Sequence, residues 1–135
     1  MARYLADTSA WHWSGRVANR WSVLLEADEL AVCTPVALEL LYSARSPSDY
    51  RDLAAALDGL TWVLWDEAVD TTARRTQAAL AERNQHRAAT PVDVLVAAVA
   101  ATHGLVLLHY DRRVDVVARA TGQPAEWLAR RGSLR

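Results

Sequence analysis

Short apolar runs alternate along this chain with longer segments whose apolar residues recur every three or four positions. RYLA (3–6), LAVC (30–33), TWVLW (61–65) and LVLL (105–108) are the runs. Their brevity and their bounding polar residues predict strands. Between the first two, Val17, Trp21, Leu24 and Leu25 fall on one helical face, which predicts a helix over 15–27. Thr34-Pro35 and Thr90-Pro91 each join an N-capping residue to a proline suited to the first helical position. They predict helices through TPVALELLYSAR and TPVDVLVAAVAATH, the second closed by Gly104. Ser46 or Ser48 starts a further helix that Gly59 ends, and a polar-alternating helix runs from about Glu67 to Arg83. A short helix follows Asp111 and stops at Gly122, and AEWL adds a last edge strand. Strands alternating with helices predict βαβ units and a parallel sheet covered on both faces. The expected fold is α/β, a three-layer α/β/α sandwich around a parallel sheet of four to five strands.

Composition narrows the class. The chain has 135 residues and is 52% hydrophobic, enough for one domain over 1–135 with one core. No apolar run approaches the ~18 residues of a membrane span. An acid at position 7 interrupts any leader-like stretch. Cys33 is alone, so no intrachain disulfide forms. The expectation is a cytoplasmic protein with no membrane partner. The net charge of −1 gives no global basic field. All 15 cationic residues are Arg, and from Arg112 onward six of them face only Asp115 and Glu126. Arginine is the better bidentate phosphate binder, although a solvated C-terminal face accounts for the cluster equally well.

The carboxylates carry the candidate chemistry. In an open parallel α/β sheet, ligands bind beyond the carboxyl ends of the strands. Asp7 ends the first strand and Asp111 follows the strand LVLL. Glu39 and Asp93 lie in the opening turns of helices entered from that same edge. Each has a structural explanation of its own. Asp7 fits an Asx turn, Asp93 a capping box with Thr90, and Asp111 an N-cap. Glu39 sits amid Leu38, Leu40, Leu41 and Tyr42, where a glutamate is rarely buried without a partner. Four converging carboxylates repel one another and hold their charge only around a cation. All-oxygen ligation suits Mg²⁺ or Mn²⁺, and such ions serve phosphoryl chemistry. Thr8 and Ser9 then orient Asp7 or position a water.

YLADTSAW, PVALELLYSAR, TPVDVLVAAVA and LVLLHYDRRVD followed by TGQPAEW, in this order and spacing, resemble the PIN-domain ribonucleases, and within them the VapC toxins of type II toxin–antitoxin systems. The resemblance covers nearly the whole chain and is closest to the mycobacterial and actinobacterial branch. It implies a PIN-like fold and a catalytic quartet of Asp7, Glu39, Asp93 and Asp111 binding Mg²⁺ or Mn²⁺. It implies cleavage of RNA, often transfer or ribosomal RNA, to a 5′-phosphate and a 3′-hydroxyl, with water as nucleophile. It further implies a homodimer and a VapB-type antitoxin laid over the groove. Members commonly read D-x-D-F-D at the last motif, where this chain has Asp111-Arg112-Arg113-Val114-Asp115. Arg113 at a usual acid position is expected to weaken a second metal site or to hold RNA phosphate. Asp115, one helical turn from Asp111, is a fifth candidate ligand. Arg112, Arg113 and Trp11 are candidate RNA contacts. Trp11 and Trp13 suit base stacking, an antitoxin groove or plain packing, while Trp21, Trp62 and Trp65 are expected in the core.

Other functions fit less well. The aspartyl-phosphate phosphatases want a second Asp where Ser9 stands, and receiver domains need a lysine, which this chain lacks. An inactive PIN scaffold that only binds antitoxin or RNA, and a metal-dependent DNA nuclease, remain the alternatives.

Overall fold

The computed structural model describes residues 1–135. Its elements run β1 Tyr4–Ala6, α1 Thr8–Trp13, a 3₁₀ turn Ser14–Val17, α2 Ala18–Glu26, β2 Leu30–Val32, α3 Thr34–Tyr42, α4 Pro47–Asp58, β3 Thr61–Trp62, α5 Glu67–Glu82, α6 Pro91–Thr102, β4 Val106–His109, α7 Arg112–Thr121 and β5 Ala125–Trp127. All strand pairs are parallel, in the order β3-β2-β1-β4-β5. The expected α/β sandwich with a parallel sheet is what forms, and the sheet has five strands. The chain builds outward from β1 on one side, then returns to build β4 and β5 on the other. The strand order therefore reverses between β1 and β4, where a crevice opens at the carboxyl edge.

Side-chain alternation separates the layers. Leu5 of β1 enters a large cluster with Val36, Leu57, Val69, Leu80, Val96 and Val99. Tyr4 and Ala6 point the other way, into a smaller cluster with Ala10, Trp21, Leu24, Leu30, Leu108 and Leu128. The period of two along a strand gives each face its own helices: α3 to α7 on one, α1 and α2 on the other. Arg20 of α2 fastens β5 by donating to the carbonyls of Trp127 and Leu128 and to Glu126.

Three local expectations change. Helix begins at Thr8 rather than 15, because the Asp7 side chain accepts from the Ser9 N–H and caps α1 directly. TWVLW forms only the two-residue strand β3. As the edge strand it lacks a neighbour on one side, so Trp62 and Trp65 lie exposed rather than in the core. Their indole N–H groups donate to the Leu57 carbonyl and to Asp70. Trp21 is buried as expected. Cys33 is buried too, and desolvation pushes its thiol up to about 11, so it stays an inert neutral group.

Candidate active site

Each acid reaches the cleft through the element that its own local bonding starts. The Asp7 N–H donates to the Leu108 carbonyl at 2.9 Å, which extends the β1–β4 pairing by one residue and turns the side chain over the crevice. Its Oδ2 accepts from the Ser9 N–H at 3.2 Å and the Ser9 hydroxyl at 2.7 Å. Both bonds fall on Oδ2, so Oδ1 has no protein donor. Ser9 Oγ also accepts from the Tyr110 N–H at 2.9 Å, which ties the β4 exit to the β1 exit. Asp93 and Thr90 form the expected capping box, with bonds of 2.9 and 3.2 Å. Asp111 caps α7 by accepting from the Arg113 N–H at 2.9 Å. Glu39 lies exposed in α3 rather than buried, and Thr8 Oγ1 donates to its Oε1 at 3.0 Å. Thr8 therefore orients Glu39, not Asp7, while Ser9 orients Asp7.

These side chains line one cleft of about 270 Å³: Asp7, Glu39, Asp93 and Asp111, with Thr8, Ser9, His12, Trp13, Tyr110 and Arg113. The four acids that sequence spacing sent to one edge thus share one concavity. The sequence pattern does not point to two of these, His12 and Tyr110. Tyr110 stands beside Asp111 in the chain, and His12 lies on the helix that Asp7 caps, a helix the periodicity did not reveal. Trp13 and Tyr110 pack together at 5.2 Å between ring centroids.

Three candidates fall elsewhere. Trp11 makes an edge-to-face pair with Trp21 at 4.9 Å and packs against both core clusters. Its indole N–H is buried without a partner, so its role here is packing and Trp13 is the aromatic at the cleft. Asp115 pairs with Arg119 at 3.1 Å, one turn further along α7, and is not in the cleft lining. Arg112 is exposed and outside the lining as well.

Electrostatics divide the cleft. Asp7 is only 4% exposed. Its carboxyl is raised above the usual range by desolvation first and by Asp93 and Glu39 second, and the Ser9 bonds only partly offset this. Asp111 lies below the usual range. Burial alone would raise it, but the Arg113 hydrogen bonds and charge outweigh burial. Arg113 Nε and Nη2 both donate to Asp111 Oδ2, at 2.9 and 2.8 Å. Its Nε lies 3.9 Å from Asp93 Oδ2. Beneath the cleft, His109 is 1% exposed against Trp127 at 4.6 Å, and desolvation lowers its pKa, which keeps the ring neutral.

The donor set is chemically right for a hard divalent ion, being carboxylate oxygen only. Asp7 is the strongest sign of fit: a buried carboxylate with one oxygen unclaimed and no ion pair. In the present side-chain arrangement, no three His, Cys, Asp or Glu groups stand close enough to grip one ion. Arg113 occupies the space in which Asp93 and Asp111 would meet it.

Comparison with known proteins agrees with this geometry. The PIN domain family model matches residues 4–120. Ribonuclease VapC18 of Mycobacterium tuberculosis is 43% identical, over 97% of this chain and 98% of the relative. Ribonuclease VapC51 of the same organism is 37% identical, over 98% and 97%. Among solved structures, the DNA-bound VapBC of Salmonella typhimurium superposes with a TM-score of 0.75 at 20% identity, over 96% of this chain and all of that one. A converging set of acids at the switch point of a five-stranded parallel sheet, and relatives of this closeness over nearly full length, give one conclusion: the chain belongs to the PIN-domain family, on its VapC branch.

Proposed function

We propose that this chain, as one PIN unit over 1–135, is the toxin of a VapB–VapC pair. It is an endoribonuclease that depends on Mg²⁺ or Mn²⁺ and hydrolyses RNA phosphodiesters to a 5′-phosphate and a 3′-hydroxyl. The observation that carries this is the convergence of Asp7, Glu39, Asp93 and Asp111, from four separate segments, on one cleft at the β1/β4 edge. Relatives that are ribonucleases by name match nearly the whole chain.

Asp7, Glu39, Asp93 and Asp111 would hold the ion. Once bound, the ion supplies Lewis-acid polarisation of the phosphodiester and eases ionisation of the attacking water. The remaining work belongs to the protein. Ser9 fixes Asp7 Oδ2, which leaves Oδ1 for the cleft. Thr8 holds Glu39 across from it. Trp13 and Tyr110 form an aromatic wall on which a splayed base can stack. A transfer or ribosomal RNA loop supplies such a base.

The partner reading rests on the neighbouring surface. An apolar groove lined by Pro35, Leu38, Tyr42, Trp65, Val92 and Leu95 adjoins the acids and shares Glu39 with them. Tyr42 is 92% and Leu38 61% exposed. A VapB-type antitoxin segment seated there buries this apolar surface and closes the acid cleft at once. The family resemblance adds a homodimer. No helix is long and apolar enough to cross a membrane, and a cytoplasmic location belongs to the same proposal, because the RNA it would cut is found there.

The test is cleavage of a labelled RNA pool by purified protein with Mg²⁺, with Mn²⁺ and with chelator, beside Glu39→Gln. Discrete products that need metal, reduced about a hundredfold or more in the variant, support the reading. Products that persist in chelator and in the variant would refute it. Intact RNA throughout, from folded protein, would favour an inactive scaffold.

A further inference from the structure

Arg113 takes both oxygens of Asp111. Its backbone N–H holds Oδ1, and its guanidinium Nε and Nη2 hold Oδ2. The same guanidinium leans toward Asp93 Oδ2 at 3.9 Å. A divalent ion at Asp111 would meet a positive charge already bound to that carboxylate. The two cations exclude each other by contact and by repulsion.

The position of Arg113 in its own helix strengthens the point. It lies in the first turn of α7. The exposed N–H groups there make a partial positive charge, which disfavours a cation. α7 gains nothing electrostatically from an arginine at that place. What holds the guanidinium is the acid pair across the cleft. The side chain is 49% exposed, so it is free to leave. Arg113 also lines a second pocket of about 420 Å³, with Gln77, His86 and Thr90 among others, which offers it room outside the acid cleft.

We propose that Arg113 is a tethered counter-cation that competes with a divalent ion for Asp111 and Asp93. It neutralises that wall of the cleft in the metal-free protein and must swing out before an ion is held there. This rests on the metal-dependent reading above. Asp7 and Glu39 hold no hydrogen bond from an Arg and form the wall on which an ion displaces no guanidinium.

The experiment is Mn²⁺ binding to the purified chain, by calorimetry and by the electron paramagnetic resonance of free Mn²⁺. Arg113→Gln should bind Mn²⁺ about tenfold more tightly, the weight of one charge-assisted bidentate contact. Arg113→Lys, which keeps charge without the fork, should fall between. Arg119→Gln removes an equal charge outside the cleft and should change nothing. Without metal, Arg113→Gln should melt below wild type, since Asp93 and Asp111 then repel, and Mn²⁺ should restore it. Equal or weaker Mn²⁺ binding by Arg113→Gln overturns the proposal. Asp7→Asn separates the two failures. If it binds Mn²⁺ as well as wild type, the metal site itself falls, and the proposal falls with it.

Discussion

The two walls of the acid cleft are built alike and behave oppositely. Asp7 follows β1 and Asp111 follows β4, adjacent strands in the middle of the sheet. Each caps the helix that comes next. Yet burial and neighbouring acids raise Asp7, while Arg113 holds Asp111 low. The Asp7 wall has Ser9, Thr8 and the Glu39 carboxylate around it, and the Asp111 wall has Asp93 and the Arg113 guanidinium. Fold position therefore gives both acids their place but not their charge state. At Asp7 burial beside Asp93 and Glu39 decides it, with the Ser9 bonds only partly offsetting the shift, and at Asp111 it is the Arg113 guanidinium two residues on.

The sharpest way to break this comparison is Asp7→Asn. Asn retains the cap and loses the charge. RNA cleavage should fall about a hundredfold or more, as loss of a metal-directed carboxylate implies. The metal-free protein should become more stable near neutral pH, because a buried carboxylate with no cation opposes folding. A variant that cleaves normally, or unfolds more easily, removes the distinction between the walls.

Ser9→Ala is the next largest test. It deletes the donor to Asp7 and the acceptor of the Tyr110 N–H. An orphaned buried N–H costs about 1–3 kcal/mol, and loss of a ligand-orienting bond reduces activity about 10–100-fold. Thermal unfolding and cleavage rate report the two effects separately.

A smaller effect is the pH dependence of metal-free stability. Asp7, raised above its ordinary 3.8, contributes stability below that pH and loses it as pH rises through the folded value. Asp111, held below 3.8, contributes stability above that pH and loses it as pH falls through the folded value. Relative to wild type, Asp7→Asn should gain stability as pH rises from 3.8 toward the raised folded value of Asp7, and Asp111→Asn should lose it as pH rises from the lowered folded value of Asp111 to 3.8. Denaturant unfolding across the acid range measures both, and parallel curves for the two variants would erase the asymmetry.

The chain itself carried a good deal of this. Apolar periodicity and the Thr-Pro pairs placed β1, β2, β4, α3 and α6, because strand and helix periods and capping chemistry are local properties. The four acids were legible for the same reason. Their places at strand ends and in opening helical turns follow from Asx, cap and capping-box chemistry, all of it short in sequence. The edges were less legible. Trp62 and Trp65 look like core by type, and only the outer position of β3 exposes them. Trp11 and Trp13 look interchangeable, and the rotation of α1 sends one to Trp21 and the other to the cleft.

Sequence alone thus determined the element order and the identity of the converging acids, since each depends on bonding within a few residues, and the alternation of strands with helices implied the parallel sheet. Tertiary structure decided the electrostatics. That Thr8 meets Glu39 and that Arg113, folded back over Asp111, also reaches toward Asp93 depend on the relative placement of separate segments. Charge interactions fall off over a few ångströms in a site of mixed burial, so such differences in placement decide which carboxylates are free to bind a cation.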